Sequence, residues 1–499
     1  MPTKRKAPSR ANRKRNVFDA SAQAARIKAR YDAAQSTTEN ASLWTGVDGL
    51  SAAQANNPSV RKTIRDRARY EVANNSYARG IVKSIANDTI GQAIQLQLGD
   101  TTKAQQIEQD FTDWATAIHL WQKMRTMRRA KCVDGEVFSL LVMNRKIKNE
   151  VKLDIKLVEC EMVESWATLP KDDEIDGIRF DAEGNATEYR LLKRNPSDYR
   201  AFKNTGSGEW ISARYMLHYF SHDRPGQVRG VSEISSALSL FGNLRKYTAA
   251  VMESAARAAE ISAVMQTTLV PDSLSAELAD PVTIIEAQRN AIVSLPEGWT
   301  MSQMKAEQPT TTYAMFKSEI IKEMARCLSM PFNVAGGDSS GYNYASGRLD
   351  HQTYDRAIDV ERVDVTADVL DPIYAEWLAE YATRKSLSKA DIKLAQSHEW
   401  YFSGRGHVDP KKEADADNTR LKNKSLTYSS YYAKQGKDWK REDQQWIRER
   451  VDSELRWNEA RKAAKLDPAP YPLSEGAEVV DVEDDNESQE SKQGGSDEE

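Results

Sequence analysis

Residues 224–265 read RPGQVRGVSEISSALSLFGNLRKYTAAVMESAARAAEISAVM. The opening is a polar turn, because Pro225 lacks a backbone donor and Gly226 permits unusual dihedrals. Ser232 is a suitable N-cap, and apolar residues then recur at the spacing of three and four that marks one helical face. These residues are Ile234, Leu238, Phe241, Leu244, Thr248, Val251, Ala255 and Ala258. The sequence therefore predicts a turn and one long helix ending at Met265.

The other face of this helix carries charges of both signs among small Ala and Ser residues. The charged residues are Arg245, Lys246, Glu253, Arg257 and Glu260. Such a helix is suited to pack against a copy of itself or a similar helix. Periodicity alone fits an ordinary surface helix of one large domain equally well.

The chain has 499 residues, enough for about two to four domains. The longest uncharged, mainly apolar run, Val137–Met143, is too short to span a bilayer, and the N-terminus lacks the apolar core of a signal peptide. We therefore expect synthesis in the cytoplasm and no membrane partner. Cys132, Cys160 and Cys327 are widely separated, which predicts buried thiols rather than disulfides or a zinc site.

The formal net charge of −4 conceals two oppositely charged ends. The first fifteen residues contain seven Lys and Arg and no acid, whereas residues 474–499 contain eleven acids and one lysine. Both ends are too poor in apolar residues to fold, which predicts disorder over residues 1–20 and 471–499. The basic arm is either a solvated tail or a contact for nucleic acid or an acidic partner.

The first half of the chain mixes helical and strand patterns, which predicts an α+β region. Helices are predicted within 20–34 and 58–90, over Ala104–Ile118 and over Gln122–Val133. Strands are predicted over Val137–Met143, over Val151–Leu157, on both sides of a turn at Asp181–Asn185, and over Trp210–Phe220.

The second half is predicted to be mainly helical. A hairpin of Asn290–Leu295 with Trp299–Met304 precedes an amphipathic helix with Phe316, Ile320, Met324 and Leu328 on one face, ending at Met330. A polar glycine-rich loop, Ala335–Ser346, leads into a helix with a kink at Pro372. The apolar face of that helix consists of Tyr354, Ile358, Val365, Val369, Ile373, Trp377 and Tyr381. A charged helical region to Ala464 follows, with Tyr428, Tyr431, Tyr432, Trp439, Trp446 and Trp457 as apolar anchors.

The signals for catalysis are weak. Gly337–Gly341 fits the Gly-x-Ser-x-Gly pattern around Ser339, with His351 and Asp355 nearby, but that motif requires a preceding strand and here a helix and Pro331 come first. His218 and His222 lack a third metal ligand at a convincing spacing. There is no phosphate-binding loop, and acidic runs such as Asp172–Glu174 are usually solvated. The sequence therefore predicts no catalytic residue, no metal and no cofactor.

Short motifs spread along the chain carry a family resemblance. They are Arg67–Arg69 with Asn74, Asn75 and Gly80, Asn87–Gly91, Trp114, Asp134–Phe138, Asp181–Tyr189, His218–Phe220, Arg224–Gly230, Leu295–Gly298, Ala325–Pro331, Asn343–Ser346 with Arg348, and Val408–Glu413. In this order, from about Tyr31 to Glu459, the chain resembles the lambda-type portal proteins of tailed bacteriophages. Ala345 stands where that family commonly has Ser, and both charged ends lie outside the shared pattern.

The resemblance implies a homo-oligomeric ring, typically a dodecamer, at one vertex of the capsid. Double-stranded DNA would pass through its channel during packaging and ejection, without sequence specificity. The implied partners are the terminase large subunit, head-completion or adaptor proteins, and the major capsid and scaffold proteins. The implied location is the virion, after assembly in the host cytoplasm.

The resemblance also implies an order of regions along the chain. They are an α+β wing (21–223), a first stem helix (224–265), a clip (266–308), a second stem helix (309–331), a tunnel loop (332–348), a long helix (349–385) and a helical crown region (386–470).

Three groups of residues become site candidates through the resemblance. The tunnel loop would contact DNA through Asp338, Ser339, Asn343, Tyr344 and Arg348. The stem helix would meet a neighbouring subunit through Arg245, Glu253, Arg257 and Glu260. The turn motif consists of Arg224, Pro225, Gly226, Gln227, Arg229 and Gly230. The alternatives are a minor capsid or scaffold protein, a serine hydrolase using Ser339, or a packaging nuclease.

Overall fold

A computed structural model describes residues 49–99, 101–163, 173–198, 208–259, 263–267, 299–303, 312–404, 410–435, 437 and 439–467. Both predicted terminal arms, the helix within 20–34 and the strand Asn290–Leu295 lie outside these residues. The chain divides into two units, and the described part of the smaller one comprises residues 49–61 and 222–228. It contains helix α1 (Ala52–Ala55) and the turn at 222–228.

Helices α2 (Pro58–Asn74), α3 (Ser76–Ile90), α4 (Thr102–Ala117) and α5 (Leu120–Asp134) confirm the helices predicted between 58 and 133. The side-chain oxygen of Asn75 accepts the backbone N–H groups of Tyr77 and Ala78 and so starts α3. Gly91 ends α3 with a φ of 71°, which a residue with a side chain rarely adopts. Strand β1 (Ile94–Gln97) follows.

Two antiparallel sheets follow the helices. The first has the order β3-β2-β8, with β2 (Glu136–Met143) between β3 (Leu153–Val158) and β8 (Met216–Phe220). The second contains β4 (Glu174–Ile175), β5 (Ile178–Phe180), β6 (Ala186–Leu192) and β7 (Gly208–Ser212) in sequence order. The predicted hairpin is confirmed, since Ile178 pairs with Tyr189.

The prediction of a single strand over Trp210–Phe220 was wrong. A 3-10 turn at Ala213–Tyr215 separates β7 from β8. β7 pairs with β6 and β8 pairs with β2, so the two halves complete different sheets. The turn redirects the chain from one sheet to the other, which one continuous strand could not do.

The long helix of the opening stretch is shorter than predicted at both ends. Ser232 does not cap it, because the Ser232 hydroxyl donates to the Cys132 carbonyl at 3.1 Å. A 3-10 turn at Ser235–Ala237 comes next, and helix α6 spans Leu238–Ala259. Ala263–Thr267 form strand β9, which pairs antiparallel with β10 (Trp299–Gln303) and satisfies its backbone there rather than in a helix. Trp299–Met304 was correctly predicted to contain a strand.

Helix α7 spans Thr312–Arg326, and the turn after it ends at Ser329, which has a φ of 51°. A short helix α8 (Phe332–Gly336) follows. The predicted loop Ala335–Ser346 is therefore restricted to 337–343, because Tyr344 already begins helix α9 (Tyr344–Val365). A π-helical turn, Thr366–Leu370, joins α9 to α10 (Asp371–Lys385). The interruption near Pro372 is thus confirmed, and a proline without an N–H donor accounts for it.

The remaining elements are α11 (Lys389–Gln396), β11 (Glu399–Phe402), α12 (Pro410–Lys422), α13 (Tyr428–Lys434) and α14 (Trp439–Ala463). β11 pairs antiparallel with β1 in a two-stranded sheet. The predicted helical region is confirmed, but Tyr428 and Trp446 are not buried anchors, since 60% and 56% of their surface is exposed.

Three apolar cores hold the larger unit together. One joins α4 to α10 through an aromatic group of Phe111, Trp114, Tyr374, Trp377 and Tyr381. Leu120, Met124 and Met127 of α5 belong to the same core. A second joins α3, α6, α7 and α9, and a third lies around Phe138 and Tyr189. The fold is thus a mixture of helices and small sheets. Among the described helices, none combines the length and apolar character of a membrane span.

Candidate functional site

Three of the sequence motifs meet at the buried carboxylate of Glu136. Glu136 begins β2, His218 lies on the paired strand β8 opposite Phe138, and Arg229 is the next-to-last residue of the turn motif. The Arg229 guanidinium donates from Nη2 to Glu136 Oε1 at 2.7 Å and from Nε to Oε2 at 2.8 Å. The backbone N–H of Gly230 and His218 Nε2 donate to Oε2 at 3.0 and 3.1 Å. One carboxylate therefore joins motifs that are about ninety residues apart in sequence.

Arg229 also satisfies backbone carbonyls around this carboxylate. Its Nη1 donates to the carbonyls of Val163 and Asp176, both at 2.8 Å, and Nη2 to that of Cys160 at 3.2 Å. Burial alone would raise the pKa of Glu136, but Arg229 and His218 hold that pKa well below its usual range. Arg229 and Glu136 therefore form a charged pair at neutral pH, and the pair also anchors both sheets.

A layer of charges on α2 extends this cluster. Arg65 Nη1 lies 3.1 Å from Glu161 Oε1, and Arg69 Nε lies 2.7 Å from Asp134 Oδ1. Burial would raise the pKa of Glu161, but Arg65 and Arg69 lower it. Burial raises the pKa of Asp134 in spite of Arg69, and it raises the pKa of the Cys160 thiol. We name the group of Arg65, Arg69, Asp134, Glu136, Glu161, His218 and Arg229 the Glu136 cluster.

Two glycines allow the chain to cross beside Glu136. A Cβ atom on Gly230 would lie 2.1 Å from the Gly135 carbonyl oxygen. A Cβ atom on Gly135 would lie 2.3 Å from the Val231 carbonyl carbon, and Gly135 has a φ of 90°. Neither position can accommodate a side chain without backbone movement, so the crossing requires both glycines.

A second buried cluster lies at the C-terminal end of α5. The Lys131 ammonium, whose side chain is fully buried, lies 2.7 Å from Glu361 Oε1 on α9. Arg128 lies 2.9 Å from Glu233 and 3.2 Å from Glu361, and the Tyr219 hydroxyl donates to Glu361. Burial would raise the pKa of Glu361, but Arg128 and Lys131 lower it. This Glu361 cluster connects α5, β8, α9 and the segment before α6.

Sequence reasoning located Arg69 and Asp134 within motifs but missed the other charged residues of the two clusters that lie on α-helices, which are Arg65 on α2, Arg128 and Lys131 on α5, and Glu361 on α9. A signal was present, because Lys131 follows Leu120, Met124 and Met127 on one face of α5, and all four are buried. Arg65 likewise shares the face of Ala68 and Val72. A charge in register with an apolar face indicates a buried ion pair, but its partner is distant in sequence.

The predicted tunnel-loop residues are exposed where the structure describes them. Asp338 Oδ1 accepts the Ser340 N–H at 2.9 Å, and Asn343 caps α9 by accepting the Ser346 N–H at 2.8 Å. Asp338, Ser339, Asn343 and Arg348 are exposed, and the side chain of Tyr344 lies outside the described residues. Their predicted contact with DNA stays a prediction.

The predicted stem-helix residues have different surroundings. Arg245 on α6 lies 2.7 Å from Glu71 and donates to the Tyr70 hydroxyl at 3.0 Å, so its charge is already paired within the chain. Glu253 is exposed, and Glu260 and the side chain of Arg257 lie outside the described residues.

The first four residues of the turn motif lie in the smaller unit, where a hydrogen bond joins Arg224 and Gln227. Gln227 Oε1 accepts the N–H groups of Asp223 and Arg224 at 3.0 and 3.1 Å, and Gly226 has a φ of 77°. Pro225 precedes that glycine. Arg224 donates to the Leu50 carbonyl at 3.2 Å.

The pattern around Ser339 lacks the setting of a nucleophile. Helix α8 and the left-handed Gly337 precede it, and His351 accepts from Asn333 at 3.0 Å. Within the described part of the chain, no three His, Cys, Asp or Glu side chains are grouped as a metal site. Cys132 and Cys160 are buried free thiols, as predicted, and Cys327 is partly buried.

The polar groups that the sequence motifs bring together thus lie inside the protein, where they join helices to sheets. These motif residues therefore act as structural junctions within the described part of the chain. The family model described as phage portal protein, lambda family, matches residues 38–362. The chain belongs to that family of structural, non-enzymatic proteins, which confirms the resemblance. The Val408–Glu413 motif lies beyond the matched residues.

A curated relative is similar over most of the chain. It is a "Probable portal protein" of Halomonas phage phiHAP-1, 22% identical over 436 residues, which cover 79% of this chain and 81% of the relative.

Among solved structures, two similar chains come from gene transfer agent (GTA) particles. One is from the neck of an empty particle computed with C6 symmetry, with a TM-score of 0.44, 15% identity, and coverage of 78% of this chain and 95% of that one. The other is from the neck of a native particle computed with C12 symmetry, with a TM-score of 0.39, 15% identity, and coverage of 76% and 92%.

Proposed function

We propose that this chain is the subunit of a portal ring at one vertex of a phage capsid, and that double-stranded DNA enters and leaves the head through the ring. The family match carries the proposal, because it extends from residue 38, before α2, to Arg362 near the end of α9. It therefore includes both buried clusters and the helix, strand-pair, helix order of α6, β9, β10 and α7.

The regions of the chain receive roles in this proposal. The α+β part up to β8 is the wing, α6 and α7 are the stem helices, and the segment between them, including β9 and β10, is the clip. Residues 337–343 are the tunnel loop, α9 and α10 form the long helix, and α11–α14 belong to the crown. Twelve subunits, a virion location and assembly in the host cytoplasm are part of the proposal. So are contacts with terminase, head-completion proteins, capsid and scaffold.

The chemistry of the loop supports loose contact with DNA. In 337–343 the only charged residue is Asp338, and the loop is otherwise polar or glycine. A dense basic lining would hold phosphates through salt-dependent attraction, which would oppose sliding. A loop with one acid instead permits sequence-independent contact without retention.

The test is the mass and shape of the purified chain at moderate salt, by light scattering and negative-stain imaging. We expect closed rings with a central hole whose mass is a multiple of 56.2 kDa. A chain that stays at 56.2 kDa at every salt and protein concentration would contradict the proposal. Open filaments or irregular aggregates would favour the scaffold or minor capsid alternative.

A further inference from the structure

Helix α14 carries an apolar stripe on its solvent side. Ile447, Val451 and Leu455 are four residues apart, so they share a face, and their exposed fractions are 47%, 51% and 60%. Lys440 lies seven residues before this stripe and Lys462 seven residues after it, and Arg448 and Glu454 flank it on its two sides. The stripe is therefore a narrow apolar surface with basic ends.

A groove of complementary character lies along β11. Val363 and Ala367, at the end of α9 and in the π-helical turn, form one wall, and Trp400 and Phe402 of β11 form the other. Val363 is 67% exposed. Three acids, Asp359, Asp371 and Glu399, and one arginine, Arg362, line the same groove.

The acidic rim is held in place by the groove's own aromatic residues. Asp371 Oδ1 accepts from Trp400 Nε1 at 2.8 Å and from His398 Nε2 at 3.0 Å, and 47% of the Asp371 side chain is exposed. The Arg362 guanidinium lies 5.0 Å from the centre of the Phe402 ring. The rim therefore presents ordered negative charge around an apolar floor, which suits an apolar helix face with basic ends.

The two surfaces lie on opposite sides of one small sheet. The sheet contains only β1 and β11. The segment leading into α14 and its first turn, with Lys437 and Lys440, line a cavity on the β1 side together with Ile94, Gln95 and Leu96. The groove lies on the β11 side. In this chain the groove and the stripe are both open, since Val363 is 67% exposed and Val451 is 51% exposed.

A cyclic ring requires two different surfaces per subunit, one for each neighbour. We propose that the Ile447, Val451 and Leu455 stripe of one copy packs into the β11 groove of the next copy. This interface rests on the proposed ring. It adds the surfaces that meet, which differ from the predicted stem-helix residues. It pairs Arg448 and Lys462 with the acidic rim.

The test is a disulfide formed between two different chains. One chain carries Val451→Cys and a mass tag, the other carries Val363→Cys, and both carry Cys327→Ser to remove the partly buried native thiol. The two chains are assembled together, and the rings are oxidised mildly. We expect a product with the sum of the two masses in the ring fraction and none in the monomer fraction.

Glu449→Cys replaces Val451→Cys in the matched control, because Glu449 is exposed on the opposite side of α14. Equal products from both pairs, or rings without a product, would overturn the interface. A cross-link confined to one chain that carries both cysteines would also overturn it and show that the stripe is covered internally. If the unmodified chain forms no rings, the proposed function itself fails.

A second variant measures how much the stripe contributes to assembly. Val451→Asp should raise the concentration at which half of the chains are in rings by about tenfold, because a charge replaces a buried apolar side chain. Glu449→Asp should leave that concentration unchanged. An unchanged midpoint for Val451→Asp would contradict the interface.

Discussion

At the scale of single residues, Glu136 is a buried acceptor on which several polar groups converge. It accepts from Arg229, His218 and the Gly230 backbone, and Arg65 lies 3.7 Å away. Its side chain has no solvent exposure. A buried charge of this kind is stable only while its partners remain, because removing one side of the pair leaves the other side without compensation.

Glu136→Gln should therefore lower the free energy of unfolding by about 3–5 kcal/mol, because the Arg229 charge stays buried without its counter-charge. Urea titration followed by tryptophan fluorescence measures this. The control is Glu188→Gln, whose partner Arg179 is also close but whose side chain is 39% exposed. That change should cost about 0–1 kcal/mol. Equal costs for the two variants would contradict the role of the Glu136 cluster.

The contribution of Glu136 to folding stability should also decrease as the pH is lowered. The folded pKa of Glu136 lies well below that of an unfolded glutamate, about 4.3, so its contribution is complete above that pH and is lost as the pH falls below it. Melting temperatures measured from pH 6 to pH 3 should therefore drop steeply in the unmodified chain. Glu136→Gln should have a shallower drop. The same slope in both chains would contradict this assignment.

Gly230→Ala should be destabilising, because the new Cβ atom would lie 2.1 Å from the Gly135 carbonyl oxygen and the backbone would have to move. We expect a loss of about 2–4 kcal/mol in urea titration. Gly80→Ala is the matched change, since Gly80 lies within α3 with nothing near its Cβ position. It should stabilise the chain by up to about 1 kcal/mol through helix propensity. A neutral Gly230→Ala would show that the crossing can relax.

At the scale of elements, helix α9 is held at its C-terminal half by Arg362. The guanidinium donates to the carbonyls of Asp88, Thr89 and Ser403, each at 3.0 Å. Asp88 and Thr89 lie in the last turn of α3, whose carbonyls have no partner within the helix. One side chain therefore closes α3 and ties it to both α9 and the end of β11.

Arg362→Met should release these three contacts. Hydrogen exchange should become faster in 86–98 and 399–403, and stability should fall by about 3 kcal/mol. Arg356→Met is the control, because Arg356 is exposed on the same helix and should leave exchange unchanged. Exchange that is unaffected in Arg362→Met would show that apolar packing alone holds α9.

The elements also show what local sequence patterns can predict. The buried faces of α3 and α9 could be predicted from the sequence, because helical periodicity is a local property. The residues that mark them are Ile81, Ile85, Tyr354 and Ile358. The pairing of Ile94 with Phe402 could not be predicted, because a strand's partner is decided by packing between distant segments. The family motifs located Glu136 and Arg229, but the roles of Lys131 and Glu361 required the structure.

At the scale of the whole molecule, the loop 337–343 precedes an α9 that the Glu361 cluster and Arg362 hold firmly. Deleting Ser339–Gly341 preserves Gly337, which ends α8, and Asn343, which caps α9. We expect rings to assemble as before, while heads package or retain less DNA. Ring imaging and DNA content per head measure the two effects.

Ser339→Ala is the control for the loop deletion, because it removes only a hydroxyl group and should leave DNA content unchanged. Normal DNA content in heads with the deleted loop would contradict a role for this loop in the channel.

The π-helical turn at Thr366–Leu370 has a consequence for how such chains can change length. A π-helical turn contains one residue more than an α-helical turn, so removing one residue from it would leave a regular α-helix with Trp377 and Tyr381 still on their buried face. Removing one residue from the α-helical part on either side would instead rotate everything after it by about 100°. The hairpin turn at Asp181–Asn185 is exposed, so a change in its length does not rotate a buried helix face. Natural insertions and deletions should therefore accumulate at the hairpin, while between Tyr354 and Tyr381 they should be confined to a single residue within Thr366–Leu370.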